Sequence, residues 1–217
     1  MKTRDRILLT ALEAFSARGV AGVSTNQIAD EMEISPGNLH YHFNSKAELI
    51  KALYLCFNQD ILSYTRTSER PVRTPQELWL LLALSFQLLA KYRFVFRDAS
   101  YVLNRYPELR RPFATLLRQT RESSQRFCRG LVASGILDAD SDTQEALAQG
   151  LHLQITQWVG YADLLQLGRV THQDEQDPFA LVEGINQVLH RLHPYLRPEV
   201  REAFTKPVPA EVIKEAI

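Results

Sequence analysis

Apolar residues recur along this chain at helical rather than alternating spacing. Ile7, Leu8, Ala11, Leu12, Ala14 and Phe15 share one face of a helix expected from Thr3 to Arg18, which Gly19 ends. Val20 and Val23 bracket a short connection through Gly22. Ser24-Thr25-Asn26-Gln27 then has the capping-box spacing, and the short helix behind it carries Ile28, Ala29 and Met32. A turn at Glu33-Ile34 leads to Ser35-Pro36, an N-cap followed by proline at the first helical position. This predicts a third, very short helix through Leu39 to His42. Phe43 and Asn44-Ser45 close the unit, and a long helix begins near Lys46.

Pro71 and Pro75 mark a break over Thr67–Pro75. Helices are expected at Gln76–Tyr92, Phe94–Asn104, Glu108–Ser134, Ser141–Leu167 and Pro178–Leu196. Gly168–Asp177 reads as a surface loop, and the tail after Pro198 as short helices or frayed ends. No segment alternates with period two long enough to argue for a sheet. The expectation is an all-α fold with a three-helix helix-turn-helix domain over residues 1–63, its motif at 24–43. A larger helical domain for ligand binding and dimerisation fills residues 64–217.

A hydrophobic fraction of 45% with 23% charged residues is ordinary for a globular chain and excludes a disordered one. The longest apolar run, Leu78–Ala90, is interrupted by Ser85 and Gln87, so it reads as a buried core helix rather than a membrane span. The charged start opens straight into an amphipathic pattern, unlike a signal peptide, and a cytoplasmic protein is expected. Cys56 and Cys128 lie far apart in apolar patterns and read as free buried thiols. Lys plus Arg equals Asp plus Glu at 25 each. No basic field therefore announces nucleic acid, and any DNA reading must rest on motif and geometry.

Two short helices joined by a tight turn fit a DNA-reading unit, and they fit an ordinary helical hairpin as well. Ile28, Ala29, Ile34 and Leu39 fall inward. Thr25, Asn26, Ser35, Pro36, Gly37, Asn38, His40, Tyr41 and His42 are left outward, small or hydrogen-bonding side chains suited to a phosphate-lined groove.

Ala14-Phe15, Gly19, Thr25, Ile28-Ala29, Ser35-Pro36-Gly37-Asn38-Leu39-His40-Tyr41-His42-Phe43 and Lys46-Ala47-Glu48-Leu49 resemble the DNA-binding domain of TetR-family regulators over residues 3–63. The resemblance implies an all-helical homodimer with a variable ligand domain, usually a repressor released by an inducer. It implies phosphate contacts from Thr25, Asn38, Tyr41, His42 and Lys46, and base-facing positions at Asn26, Pro36, Gly37 and His40. Two positions depart from the family pattern: His40 stands where Tyr is usual, and Glu33 where the turn commonly has Gly. Lys46 at the start of the fourth helix would add its charge to free backbone N–H groups at one phosphate.

Aromatics crowd the second half. Trp79, Phe86, Tyr101, Phe127 and Trp158 are candidates to line an apolar ligand pocket, with His152, Gln154 or Gln157 as polar anchor, or else are plain core. Leu151, Ile155 and Val159 on one long helix and Ile185, Val188 and Leu192 on the next are the expected dimer interface, a four-helix bundle about a two-fold axis. The partners expected are a double-stranded DNA operator, a second copy of the chain and a small-molecule effector, with no membrane. No cofactor and no metal site are expected. His190 and His193 have a metal-capable spacing without an acidic or Cys neighbour, and no Gly-rich phosphate loop or nucleophile pairing supports an enzyme. A helical adaptor with a helix-turn-helix shape, and a metal or redox sensor, stand as alternatives.

Overall fold

The computed structural model describes residues 2–68, 72–165 and 178–205. Its helices are α1 (Thr3–Arg18), α2 (Thr25–Glu31), α3 (Pro36–His42), α4 (Lys46–Ser68), α5 (Pro75–Lys91), α6 (Phe94–Arg97), α7 (Ala99–Arg105), α8 (Arg110–Ala133), α9 (Ser141–Leu165), α10 (Pro178–Leu192) and α11 (Pro198–Thr205). Short 3-10 turns occupy Pro107–Leu109 and His193–Tyr195. Among the described residues the one extended pairing is an isolated bridge between Leu137 and Leu196. The fold is all-α, as the periodicity predicts.

The differences are local. The helix expected over Phe94–Asn104 breaks at Asp98 (φ −98°, ψ 8°), whose carboxylate accepts from the backbone N–H of Val20 at 2.7 Å. The helix expected from Glu108 starts instead with a 3-10 turn at Pro107. The predicted loop at Gly168–Asp177 lies outside the described residues, as does the tail beyond Thr205.

The chain forms two compact units, Met1–Asp60 with Ala90–Leu117, and Ile61–Leu89 with Arg118–Ile217. The boundary expected after residue 63 therefore misses a segment: residues 90–117 fold with the N-terminal head. Aromatic packing explains the join. Phe94 lies 5.8 Å from Phe15 and stacks on Tyr54 at 6.3 Å between centroids. Phe57 meets Tyr92 at 5.2 Å and Phe96 at 5.9 Å. Such pairs add about 0.5–1.5 kcal/mol each beyond the area they bury.

In the other unit, Leu78, Trp79, Leu82 and Phe86 of α5 pack with Leu131 of α8, Leu147 and Leu151 of α9, and Ile185, Val188 and Leu192 of α10. The apolar run Leu78–Ala90 is thus a core helix, as its interruption by polar residues suggests. Gly184 lets α10 approach closely: a Cβ there would lie 2.6 Å from Trp158 Nε1 and 2.7 Å from Phe86 Cε1.

Candidate nucleic-acid interface and ligand cavity

The helix-turn-helix is built from caps that the sequence carries openly. Ser24 Oγ accepts from Gln27 N at 3.2 Å while Gln27 Oε1 accepts from Ser24 N at 2.7 Å, a complete capping box for α2. Ser35 Oγ accepts from Asn38 N at 3.2 Å, and Pro36 occupies the first position of α3. Between the helices Ile34 N donates to Ala29 O at 3.0 Å, which forces Glu33 to φ +56°. That is left-handed backbone, and it explains why glycine suits this turn.

Ile28, Ala29 and Leu39 are buried as expected, and Ile34 is half-buried. Asn26, Ser35, Pro36, Gly37, Asn38, His40 and Tyr41 are exposed, whereas Thr25, His42 and Lys46 are half-buried. Tyr41 is 85% exposed and meets the ring of His42 edge-on at 5.2 Å. Tyr41 thus contributes nothing to the core of the unit.

Lys46 departs from the simple expectation. Its ammonium donates to the carbonyls of Val20 and Val23, tying the α1–α2 connection to the start of α4, and lies 5.6 Å from the Phe15 ring centre. Burial, helped by the charge of Arg105, holds its pKa below the ordinary lysine value.

Arg97 and Asp98 were not visible as functional in the sequence. Arg97 donates to Ser16 O and Phe15 O at 2.8 Å and to Asp98 Oδ1 at 3.0 Å. Together they cap the last turn of α1 and the entry to the α1–α2 connection. No local pattern signals a contact across some 80 positions (|i−j| of 81 and 82).

The second unit holds a small cavity of about 70 Å³. Ile61, Leu82, Leu89, Phe127, Leu151 and Ile155 supply its apolar wall. Tyr64, Ser85, Thr120, Ser123, Ser124, His152 and Thr156 supply polar groups. Of the predicted lining residues, Phe127 and His152 are here. Trp79 and Phe86 are instead buried in the unit's core, and Trp158 packs against that core. Tyr101 belongs to the other unit, where it is 40% exposed. Size misled that prediction: Trp79 and Phe86 fill the core, while Phe127 shares the cavity wall with Tyr64, His152 and small hydroxyl side chains. His152 Nε2 lies 2.9 Å from Thr120 Oγ1, and burial with the charge of Arg121 lowers its pKa below the ordinary histidine value. Gln154 is engaged by Arg191 Nε at 2.8 Å, and Gln157 is exposed.

The predicted dimer residues are corrected as well. Leu151, Val159, Ile185, Val188 and Leu192 are buried within the unit itself, and Ile155 packs against its core. The opposite stripe of α9, with Leu153, Tyr161 and Leu164, is exposed. Cys56 is half-buried and Cys128 buried, both free, and burial pushes the Cys128 thiol up to about 12. Among the described residues no three His, Cys, Asp or Glu side chains gather as a metal site. No described helix is long and apolar enough to cross a membrane.

A capped two-helix reader at the N-terminal end of an all-helical chain defines a helix-turn-helix regulator. Comparisons with known proteins sharpen that class. Residues 7–53 match the family of bacterial regulatory proteins named tetR, and residues 56–204 match the TetR bacterial transcriptional repressor domain. The chain belongs to the TetR family, and is a transcriptional regulator of that DNA-binding, non-enzymatic type.

A solved TetR-family transcriptional regulator from Marinobacter aquaeolei VT8 is 31% identical, with 100% of this chain and 99% of that chain covered and a TM-score of 0.80. CprB from S. coelicolor A3(2) shares the fold at 17% identity and a TM-score of 0.69, over 99% and 96% of the two chains. Over the reading head, the transcriptional regulator UidR of Escherichia coli K12 is 47% identical across 53 residues, 24% of this chain and 27% of that protein. SrpR of Pseudomonas putida is 40% identical over 52 residues, 24% of each. The chain matches about a quarter of the length of these curated relatives.

Proposed function

We propose that the protein acts as a homodimeric, effector-responsive repressor on a near-palindromic operator. The observation that carries this reading is the exposed face at the capped end of α3. Asn26, Pro36, Gly37 and His40 are assigned to base edges, and Thr25, Ser35, Asn38, Tyr41 and His42 to the phosphate backbone. Lys46 has three N–H donors and gives two to carbonyls. The third serves a phosphate while the other two hold the turn in place.

The exposed stripe Leu153, Tyr161 and Leu164, with Gly160 between them open to close approach, supports a two-fold contact through α9. A two-fold sets the heads about one DNA turn (~34–36 Å) or a multiple of it apart. The cavity in the second unit is the effector site, and an effector releases DNA only by preferring one spacing of the heads.

Binding to a duplex from immediately upstream of the protein's own gene tests this reading. Competitor-resistant binding by two protomers that weakens steeply with salt is expected. Weak, sequence-blind binding to this and to selected random duplexes alike would favour the helical adaptor instead. Leu153→Arg should yield monomers in sedimentation and lose operator binding with them.

A further inference from the structure

We propose that the effector is an uncharged, largely hydrocarbon molecule carrying a hydrogen-bond donor such as a hydroxyl group. The inference rests on reading the second unit's cavity as the effector site. Among the described lining residues none carries a fixed charge. Of the two titratable rings in the wall, burial pushes the Tyr64 hydroxyl up to about 12, and burial with the charge of Arg121 disfavours the protonated form of His152. An ion entering such a space loses its hydration without gaining a counter-charge, which is strongly unfavourable. The Arg126 guanidinium, whose Nη2 donates to Ser123 Oγ at 3.1 Å, is not itself part of the wall.

The hydroxyls set the polarity of the ligand's anchor. Each has one proton to donate and two lone pairs to accept with. Ser85 Oγ donates to Leu82 O at 2.7 Å, Thr156 Oγ1 to His152 O at 2.7 Å and Tyr64 OH to Leu81 O at 3.0 Å. Ser124 Oγ points at Thr120 O at 3.4 Å. Their protons thus go to main-chain carbonyls, and, apart from the side-chain hydrogen bond that Ser85 and Tyr64 share, what remains toward the cavity is acceptor capacity. A ligand that brings only acceptors leaves those lone pairs unmatched, while a donor satisfies one of them. The imidazole of His152, anchored through Nε2 on Thr120, has Nδ1 as its remaining polar atom. The apolar wall from Leu82, Leu89, Phe127, Leu151 and Ile155 accounts for the hydrocarbon body.

Calorimetric titration of the full-length dimer with four probes on one skeleton tests this directly: 2-naphthol, naphthalene, 2-naphthoate and 2-naphthylmethylammonium. 2-Naphthol should bind about ten-fold or more tighter than each of the others. Thr156→Val and Ser85→Ala, both checked for unchanged melting, should narrow its advantage over naphthalene while naphthalene itself binds as before. Naphthoate or the ammonium binding as tightly as naphthol overturns the class, as does binding of none of the four. An advantage over naphthalene that is absent, or that survives both substitutions, overturns the donor assignment. Operator release is followed in parallel. Binding in the expected order without release keeps the ligand class and refutes the effector reading. Release driven by naphthoate does the reverse.

Discussion

The reading head and the unit that holds the cavity are both helical, yet they obey different rules. In the head, local chemistry decides what faces out. Ser24 and Ser35 cap α2 and α3, Pro36 starts a helix of seven residues, and two short apolar sets are enough to orient it. In the other unit, helices of 25 and 15 residues carry apolar side chains on more than one face. Which stripe is buried is settled by packing against α5 and α8, and a cavity is left where small hydroxyl side chains meet between Tyr64, Phe127 and His152. A short capped helix presents one functional face, whereas a long core helix has a choice that only its neighbours make.

The sharpest contrast lies between two glycines. A Cβ at Gly37 would meet nothing closer than Ser35 Oγ at 4.0 Å, but one at Gly184 would press into Trp158 and Phe86 at under 3.0 Å. Gly184→Ala should lose about 1–3 kcal/mol in chemical denaturation. Gly37→Ala should lose no stability and weaken DNA binding. Equal stability losses at the two sites would erase the contrast.

Next in size is a long-range device of the head, Arg97. Arg97→Gln should cost about 1–3 kcal/mol through the carbonyls of Phe15 and Ser16 that it leaves without their charged donor. Hydrogen exchange should rise first around Val20. Arg97→Lys should restore stability only in part, because an ammonium lacks the separate Nε, Nη1 and Nη2 with which the guanidinium reaches Asp98, Ser16 and Phe15. Full rescue by lysine would mean that charge alone matters there.

Glu33 offers a smaller gain. Its φ of +56° is unfavourable for any side chain, so Glu33→Gly should raise stability by about 0.5–1 kcal/mol, read as a higher melting temperature. A decrease would show that the carboxylate makes a contact worth more than the strain.

The smallest effect separates the units by pH. His152 has a folded-state pKa below its unfolded value of about 6.5, so the unfolded chain takes up a proton first. Its contribution to stability is complete above that value and is lost as pH falls through the folded one. His152→Gln should therefore flatten part of the fall in melting temperature between about pH 7 and 5. An unchanged slope would place the acid sensitivity elsewhere.

These contrasts also explain what could be read without coordinates. Helix α1 is bounded by Gly19, the caps of α2 and α3 follow from Ser24, Gln27, Ser35 and Pro36, and the outward set of the reader follows from seven-residue helices. The engagement of Lys46 with Val20 and Val23 carbonyls was not legible, because a lysine at a helix start serves a phosphate or a carbonyl equally well. Nor was the membership of residues 90–117 in the head, which depends on Phe94 meeting Phe15 and Tyr54. In the second unit the helices were legible and their faces were not: Ile185 and Val188 have the spacing of an interface and the burial of a core. His152 and Phe127 were found at the cavity, while Trp79 and Phe86 were misplaced for the same reason.

The central claim is that the exposed face of α3 reads DNA. Equilibrium binding of the wild type, Tyr41→Ala and His40→Ala to the operator and to a scrambled duplex, across a salt series, tests it most directly. Tyr41→Ala should weaken binding to both duplexes alike. His40→Ala should lower the preference for the operator by about ten-fold, the worth of one base contact. Both variants binding both duplexes like the wild type would contradict it.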